Sequence, residues 1–286
     1  MQKLNYQPNS LARTLQGKKS QLVGLIFPSV NNPFYGELVA ELEQTFFNYG
    51  YKCILCDSQN NPEKEKHYLK MLLANQVDGI IAGAHNINIV EYDQIDLPII
   101  AFDRELSKKI PIVSNDNFQG GKLATEALIN AGAHKIAILT GNNENEPTKN
   151  RLSGYKQAIK KANLQEYIFS FTQQKSTILK QQNIQEILKK YQFDGIFCTD
   201  DLTAQIVYNE AQKLNIKIPD DLKIIGYDGT KLIQNYLPYL STIVQPINEL
   251  ATLTAELLIQ RINNPKLELN HTYTLPNQLL QKQTLQ

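Results

Sequence analysis

The sequence predicts an α/β protein made of two doubly wound parallel-sheet lobes joined by three crossovers. Three observations carry that prediction. After residue 20, short β-branched runs alternate with longer amphipathic segments, the pattern of a parallel sheet with helices on both faces. The alternation runs through once and restarts near residue 118. The two halves also echo each other: LLANQVDGII (72–81) parallels ILKKYQFDGIF (187–197), and LPIIAFD (97–103) parallels LKIIGYD (222–228).

Each element has its own signal. QLVGLIF (21–27) reads as a buried strand, and GELVAELEQTFFNYG (36–50) sets Leu38, Leu42 and Phe46 four apart on one helical face ending at Gly50. YKCILCD (51–57) is a strand, and PEKEKHYLKMLLANQ (62–76) a helix opened by Pro62 with acids in its first turn. VDGIIAG (77–83), LPIIAFD (97–103) and IPIVSND (110–116) complete the first set of strands. The second set runs helix 118–132, KIAILTG (135–141), helix 149–162, IFSFTQ (168–173), helix 178–191, FDGIFCTD (193–200), helix 202–214 and LKIIGYD (222–228). INELATLTAELLIQRI (247–262) is a further helix, with Leu250, Leu253, Leu257 and Leu258 expected on one face against the first lobe. Crossovers near 115–118, 244–247 and 273–276 give three segments: 1–20, a linker; 21–116 plus 246–273, the N-terminal lobe; and 117–245 plus 274–286, the C-terminal lobe.

A chain of 286 residues is comfortable for two domains of ordinary size, and 42% apolar with 20% charged residues is the profile of a globular protein. The formal charge of +1 provides no global field toward nucleic acid or a membrane surface. Three cysteines, Cys53, Cys56 and Cys198, are too few for a disulfide framework, and no stretch approaches the roughly 20 apolar residues of a membrane span. A cytoplasmic location is expected. No cofactor or metal is expected either: Cys53 and Cys56 lie three apart in one strand and point to opposite faces, and His67, His85, His134 and His271 are scattered. GNNENEPTKNR (141–151) lacks a phosphate-loop pattern, and Ser153 has no nucleophile elbow, so no enzyme is expected.

Asp103 and Asp228 end equivalent strands. Ligands of open α/β sheets bind beyond the carboxyl ends of the strands, so facing lobes would bring both carboxylates to one interlobe cleft. The alternative for either acid is capping of the turn that follows.

LNYQPNSLARTLQGKKSQLVGLIFPSVNNPFY resembles the hinge and first strand of the lactose/galactose-repressor family of transcription regulators. The similarity continues through DSQNNPEKE, VDGII, FDR, SNDNFQGGKLATEAL, GAHKIAILTG, RLSGY, FCTDDLTA, IPDDLKIIGYD and LSTIVQP, in the family's order. The sensing core is also similar to ribose-type periplasmic binding proteins, which share its fold. The resemblance implies a ligand-responsive repressor, in which this chain is the effector-sensing and dimerising core and the effector is a small molecule, a sugar by preference. An exported sugar-binding protein of a transport system is the alternative. The family begins with a helix-turn-helix headpiece, whereas this chain opens partway through the connection to the hinge. Operator DNA is therefore an expected partner of the full-length form alone.

The resemblance implies ligand-binding roles for Asn32, Phe34, Tyr35, Asp103, Arg104, Arg151, Asp200, Asp228 and Gln245. Carboxylates accept from vicinal hydroxyls, guanidinium forks donate to them, and aromatic faces pack on sugar C–H faces. Phe34 and Tyr35 read equally as core or as a ligand platform, although the preceding Asn-Pro favours a loop. Arg151, placed at the start of a helix where cations are disfavoured, is either the effector clamp or a surface ion pair. Asp200 stands where the family often carries Asn, which leaves open whether Asp200 or Asp201 caps the following helix. Two pocket acids disfavour a phosphate unless Arg104 and Arg151 offset them, so a neutral sugar is preferred to a sugar phosphate or a purine. In the hinge, Arg13 and Leu15 would reach the minor groove when paired across a dimer on DNA. In the isolated chain a disordered tail is the expectation there.

Overall fold

The computed structural model describes residues 19–84, 86, 89–141, 145–171 and 176–286. Arg13 and Leu15, and with them the hinge reading, lie outside the described residues, as does His85. The chain forms two compact units, one extending to Ser114 and taking up Ile247–Tyr273, the other comprising Asn115–Pro246 and Thr274–Gln286.

In the first unit, strands β1 (Leu22–Phe27), β2 (Lys52–Asp57), β3 (Gly79–Ala82), β4 (Ile99–Phe102) and β5 (Ile112–Asn115) join β11 (Thr272–Leu275) in the order β2-β1-β3-β4-β5-β11. β1 pairs in parallel with both β2 and β3, Val23 lying opposite Cys53 on one side and Gly79 on the other. The strands are short and apolar on both faces because helices cover both. Helices α1 (Pro33–Asn48) and α2 (Pro62–Ala74) open in the same way, with Asn32 and Asn61 as caps and a proline in the first turn. Leu38, Leu42 and Phe46 are fully buried, as their spacing predicts.

The second unit repeats the pattern. β6 (Ile136–Thr140), β7 (Tyr167–Ser170), β8 (Gly195–Cys198), β9 (Lys223–Asp228) and β10 (Ser241–Val244) join β12 (Gln278–Leu280) in the order β7-β6-β8-β9-β10-β12. Helices α3 (Asn117–Asn130), α4 (Glu146–Lys161), α5 (Thr177–Tyr191), α6 (Asp201–Lys213) and the short α7 (Lys231–Tyr236) connect these strands. Strand order therefore matches position by position: β1 with β6, β2 with β7, β3 with β8, β4 with β9 and β5 with β10. The last strand of the second sheet, β12, is antiparallel to its neighbour β10.

α8 (Ile247–Asn263) belongs to the first unit. It buries Leu250, Leu257 and Leu258, with Ala251 and Ala255 filling the same face, each large side chain worth about 1.5–3 kcal/mol of burial. Leu253 is half-buried, off the centre of the face on which the spacing placed it. No helix of the described residues is long and apolar enough to cross a membrane.

Candidate functional site

At the carboxyl edge of the first sheet, the cap and first turn of α1 bring Asn32, Phe34 and Tyr35 toward the end of β4, so the Asn-Pro pair opens a helix here and not the loop the sequence favoured. Asn32 is the cap of α1, its side-chain oxygen accepting from the Phe34 N–H at 2.8 Å. Phe34 is buried, with its ring centroid 5.1 Å from Tyr35 and 6.2 Å from Phe102. Tyr35 is half-buried and lies 5.9 Å from Phe27. Asp103 is buried in a left-handed backbone conformation, φ +59°, and Arg104 donates from Nη1 to the Ala84 carbonyl at 2.9 Å.

Beside them lies a group that the sequence did not single out. Glu65 on α2 is fully buried and accepts two bonds of 2.6 Å, from the Tyr92 hydroxyl and the Asn86 amide. The Tyr92 phenol is pushed well above its usual range by burial first and then by the Glu65 charge, while Arg104 acts in the opposite direction. Helical spacing sets Glu65 on the buried face with Leu69 and Leu72, unlike its neighbours Glu63 and Lys64, and an acid on that face was the available signal. The partners that bury it come from a loop more than 20 residues away.

The second sheet's carboxyl edge is built around Arg151, which is 7% exposed. Its Nε donates to Asn117 Oδ1 at 2.7 Å and its Nη1 to the Thr199 carbonyl at 2.7 Å. The guanidinium carbon sits 3.6 Å above the centre of the Tyr227 ring, and Nη1 is 3.6 Å from Asp228 Oδ1. Gln245 Nε2 donates to the same Asp228 oxygen at 2.7 Å, and Gln245 in turn accepts from the buried Asn115 amide. A stacked, hydrogen-bonded, desolvated guanidinium is held in one orientation, with its fork plane set by the ring beneath it.

One of the sequence readings needs revision here, and one open alternative is resolved. Helix α4 starts at Glu146, so Arg151 is in its second turn and the helix-start argument for it does not apply. Its position is set by Tyr227, Asn117 and Thr199 rather than by the helix terminus. Asp200 is the cap of α6, its carboxylate accepting from the Thr203 N–H and hydroxyl, both at 2.7 Å. Asp201 is not a cap: it reaches away from its own helix, accepting from the Gly229 N–H at 2.7 Å and the Thr242 hydroxyl at 2.6 Å. Burial, then the neighbouring Asp228 charge, raises its carboxyl well above the usual aspartate range. Asn117 and Tyr227, missed as site residues, contact Arg151 across sequence separations that no local pattern reports.

Cys53 and Cys56 sit half-buried and buried on β2, their thiols pushed up to about 12 and about 11 by burial, so both are neutral and unreactive. Among the described residues no group of His, Cys, Asp and Glu has the arrangement to hold a metal ion.

Residues 125–285 match the model of a periplasmic binding protein-like domain. The sucrose operon repressor of Pediococcus pentosaceus is 49% identical over 281 residues, covering 98% of this chain and 86% of that protein. The chain belongs to the LacI family of transcriptional regulators. Among solved structures, a LacI-type regulator from Alkaliphilus metalliredigens complexed with D-xylulofuranose is 31% identical, with a TM-score of 0.85, covering 93% of this chain and 99% of that one. A LacI-family regulator from Enterococcus faecium with bound ribose is 27% identical, with a TM-score of 0.81, covering 92% of this chain and 98% of that one. In this LacI-family chain the GYD run that ends β9 thus serves three purposes. Gly226 leaves room for the Asp201 carboxylate, Tyr227 supports Arg151, and Asp228 ends the strand between Arg151 and Gln245.

Proposed function

We propose that this chain is the effector-sensing and dimerising core of a cytoplasmic repressor of a sugar-utilisation operon, and that its effector is a small sugar containing a furanose ring. The observation that carries the reading is the Arg151 array: a buried, pre-oriented cationic fork against a carboxylate, the arrangement that recognises neighbouring hydroxyls. Asp103, Arg104, Asn32, Phe34 and Tyr35 in the first unit, and Asp200, Asp228 and Gln245 in the second, are assigned to the same ligand. The furanose preference draws on the names of the relatives: one acts on a sucrose operon, and sucrose contains a fructofuranose ring; one holds a ketofuranose and one a ribose.

The activity is reversible binding rather than turnover. Operator DNA is assigned as the second partner, with Arg13 and Leu15 as the hinge contacts. A homodimer is supported by one edge strand of each sheet: Leu55 on β2 and Ile168 on β7 are exposed apolar residues on edges unpaired among the described residues, which a second copy would cover.

Calorimetric titration with sucrose, D-fructose, D-ribose and sucrose 6-phosphate tests the reading. One of the neutral sugars is expected to bind, and Arg151→Ala to abolish most of that affinity. A sugar that binds the variant as tightly as the parent overturns the assignment, and binding of the phosphate ester alone overturns the preference for a neutral ligand.

A further inference from the structure

We infer that Asp201 is a positioning residue for sugar binding, fixing the turn at Asp228–Gly229 and thereby aiming the Asp228 carboxylate. The inference rests on the proposed role of Asp228 in the ligand site. Capping of α6 is already supplied by Asp200, so the Asp201 carboxylate is free of that duty, and it is 2% exposed. It ties three elements together: its own helix, the turn after β9 through the Gly229 N–H, and β10 through the Thr242 hydroxyl.

The turn it holds is strained. Asp228 has φ +113° and Gly229 φ +61°, and a side chain on Gly229 would run into Val244. A non-glycine residue in that region is strained and persists only when its surroundings over-determine it. The Asp201–Gly229 bond constrains one side of the Asp228 peptide, and the Gln245 amide constrains the side chain from the other. Gly226 belongs to the same device. The Asp201 Oδ1 lies where a Cβ on Gly226 would project, so the glycine of the strand is what admits the carboxylate.

The test is a double-mutant cycle read by sugar affinity, together with hydrogen exchange at the Gly229 amide in the unliganded protein. Asp201→Ala is expected to weaken binding of the sugar identified among sucrose, D-fructose and D-ribose by at least about tenfold, and to speed exchange at Gly229. Asp201→Asn, able to accept from Gly229 and donate to Thr242, is expected to retain affinity within about threefold. In an Asp228→Ala background, removing Asp201 is expected to cost nothing more, because the group it aims is gone. Equal losses in both backgrounds, or unchanged exchange at Gly229, overturn the inference. If none of the sugars binds the parent protein, the functional reading fails, while the exchange measurement still decides whether Asp201 holds the turn. Should Asp201→Ala not fold, Thr242→Val removes one of the two bonds, and the same background comparison applies: a smaller loss, absent without Asp228, supports positioning, and an equal loss in both overturns it.

Discussion

In the first unit Asp78 accepts from the backbone N–H groups of Ser20 and Gln21 at 3.0 and 2.8 Å; in the second, Asp194 accepts from those of His134 and Lys135 at 2.9 and 2.7 Å. Each aspartate opens an Asp-Gly-Ile strand and grips the two residues that lead into the neighbouring strand, β1 or β6, of its own sheet. Likewise β4 and β9 each deliver an aspartate in a positive-φ conformation at the carboxyl edge. Beyond those shared devices the units diverge. In the first, aromatic rings gather on Phe102 and Glu65 is buried against Tyr92 and Asn86; the second surrounds its aspartate with Arg151, Gln245 and Asp201. The repeated residues hold sheets together, and the unrepeated ones are where recognition is to be sought.

Arg151→Ala is the largest blow to the second unit. It leaves Asp228, the Thr199 carbonyl and Asn117 Oδ1 desolvated without their shared cation, a loss of about 3–5 kcal/mol in stability by analogy with broken buried pairs. Sugar affinity is expected to fall by roughly 100-fold or more. Urea titration and calorimetry measure the two, and a variant as stable as its parent breaks the claim that this array organises the second edge. Glu65→Ala is the matching cut in the first unit. Orphaning the Tyr92 hydroxyl and the Asn86 amide is expected to cost about 3 kcal/mol, with Glu65→Gln recovering part of it. A loss confined to stability, with sugar affinity untouched, separates Glu65 from the ligand edge that Arg104 occupies.

The fold was legible because its signals are periodic: β-branched runs, helical spacing and the Asp-Gly-Ile echo each repeat within a window shorter than an element. The placement of candidate site residues was legible where a residue closes a strand, as Asp103 and Asp228 do. It failed where position depends on tertiary partners. Arg151 was read at a helix start because GNNENEPT looks like loop, yet Glu146 and Pro147 already form the first turn. Asp200 and Asp201, adjacent and chemically identical, were indistinguishable until Gly226 was seen to leave space for one of them. That glycine, isolated in an apolar strand, was the available clue, since it marks a close approach. Glu65 offered one of another kind, an acid spaced onto the apolar face of Leu69 and Leu72, whereas Asn117 and Tyr227 offered none.

The two aspartate clamps provide a sharper comparison with a smaller effect. Asp194 secures an internal connection, so Asp194→Ala is expected to cost about 2 kcal/mol of the second unit's stability. Asp78 secures the chain where residues 19–21 enter the first sheet, a place where local release is cheaper. Asp78→Ala is expected to cost about 1 kcal/mol and to appear mainly as faster exchange at the Ser20 and Gln21 amides. Equal stability losses would mean that both clamps do the same mechanical work, and the first unit's entry would be as integral to its sheet as the second's.

The last effect is one of pH, and it belongs to the second unit because Asp201 follows β8 on an α-helix, whereas among the described residues β3 is followed by a short 3-10 helix, Val90–Gln94. Burial, and then the Asp228 charge, raises the Asp201 carboxyl in the folded protein. The unfolded chain gives up that proton near pH 4, while the folded chain holds it to higher pH. Between those limits the folded state binds more protons, so stability falls as pH rises, and it levels off once the folded group ionises too. Asp201→Asn has no proton to lose at this position. The stability of the Asn variant relative to the parent is therefore expected to improve as pH is raised from about 4, with the Asn variant gaining steadily and then holding a constant difference. Denaturant titrations of both proteins across that range measure it. Parallel profiles would mean that the Gly229 and Thr242 bonds to the carboxylate offset its burial, leaving Asp201 ionised throughout.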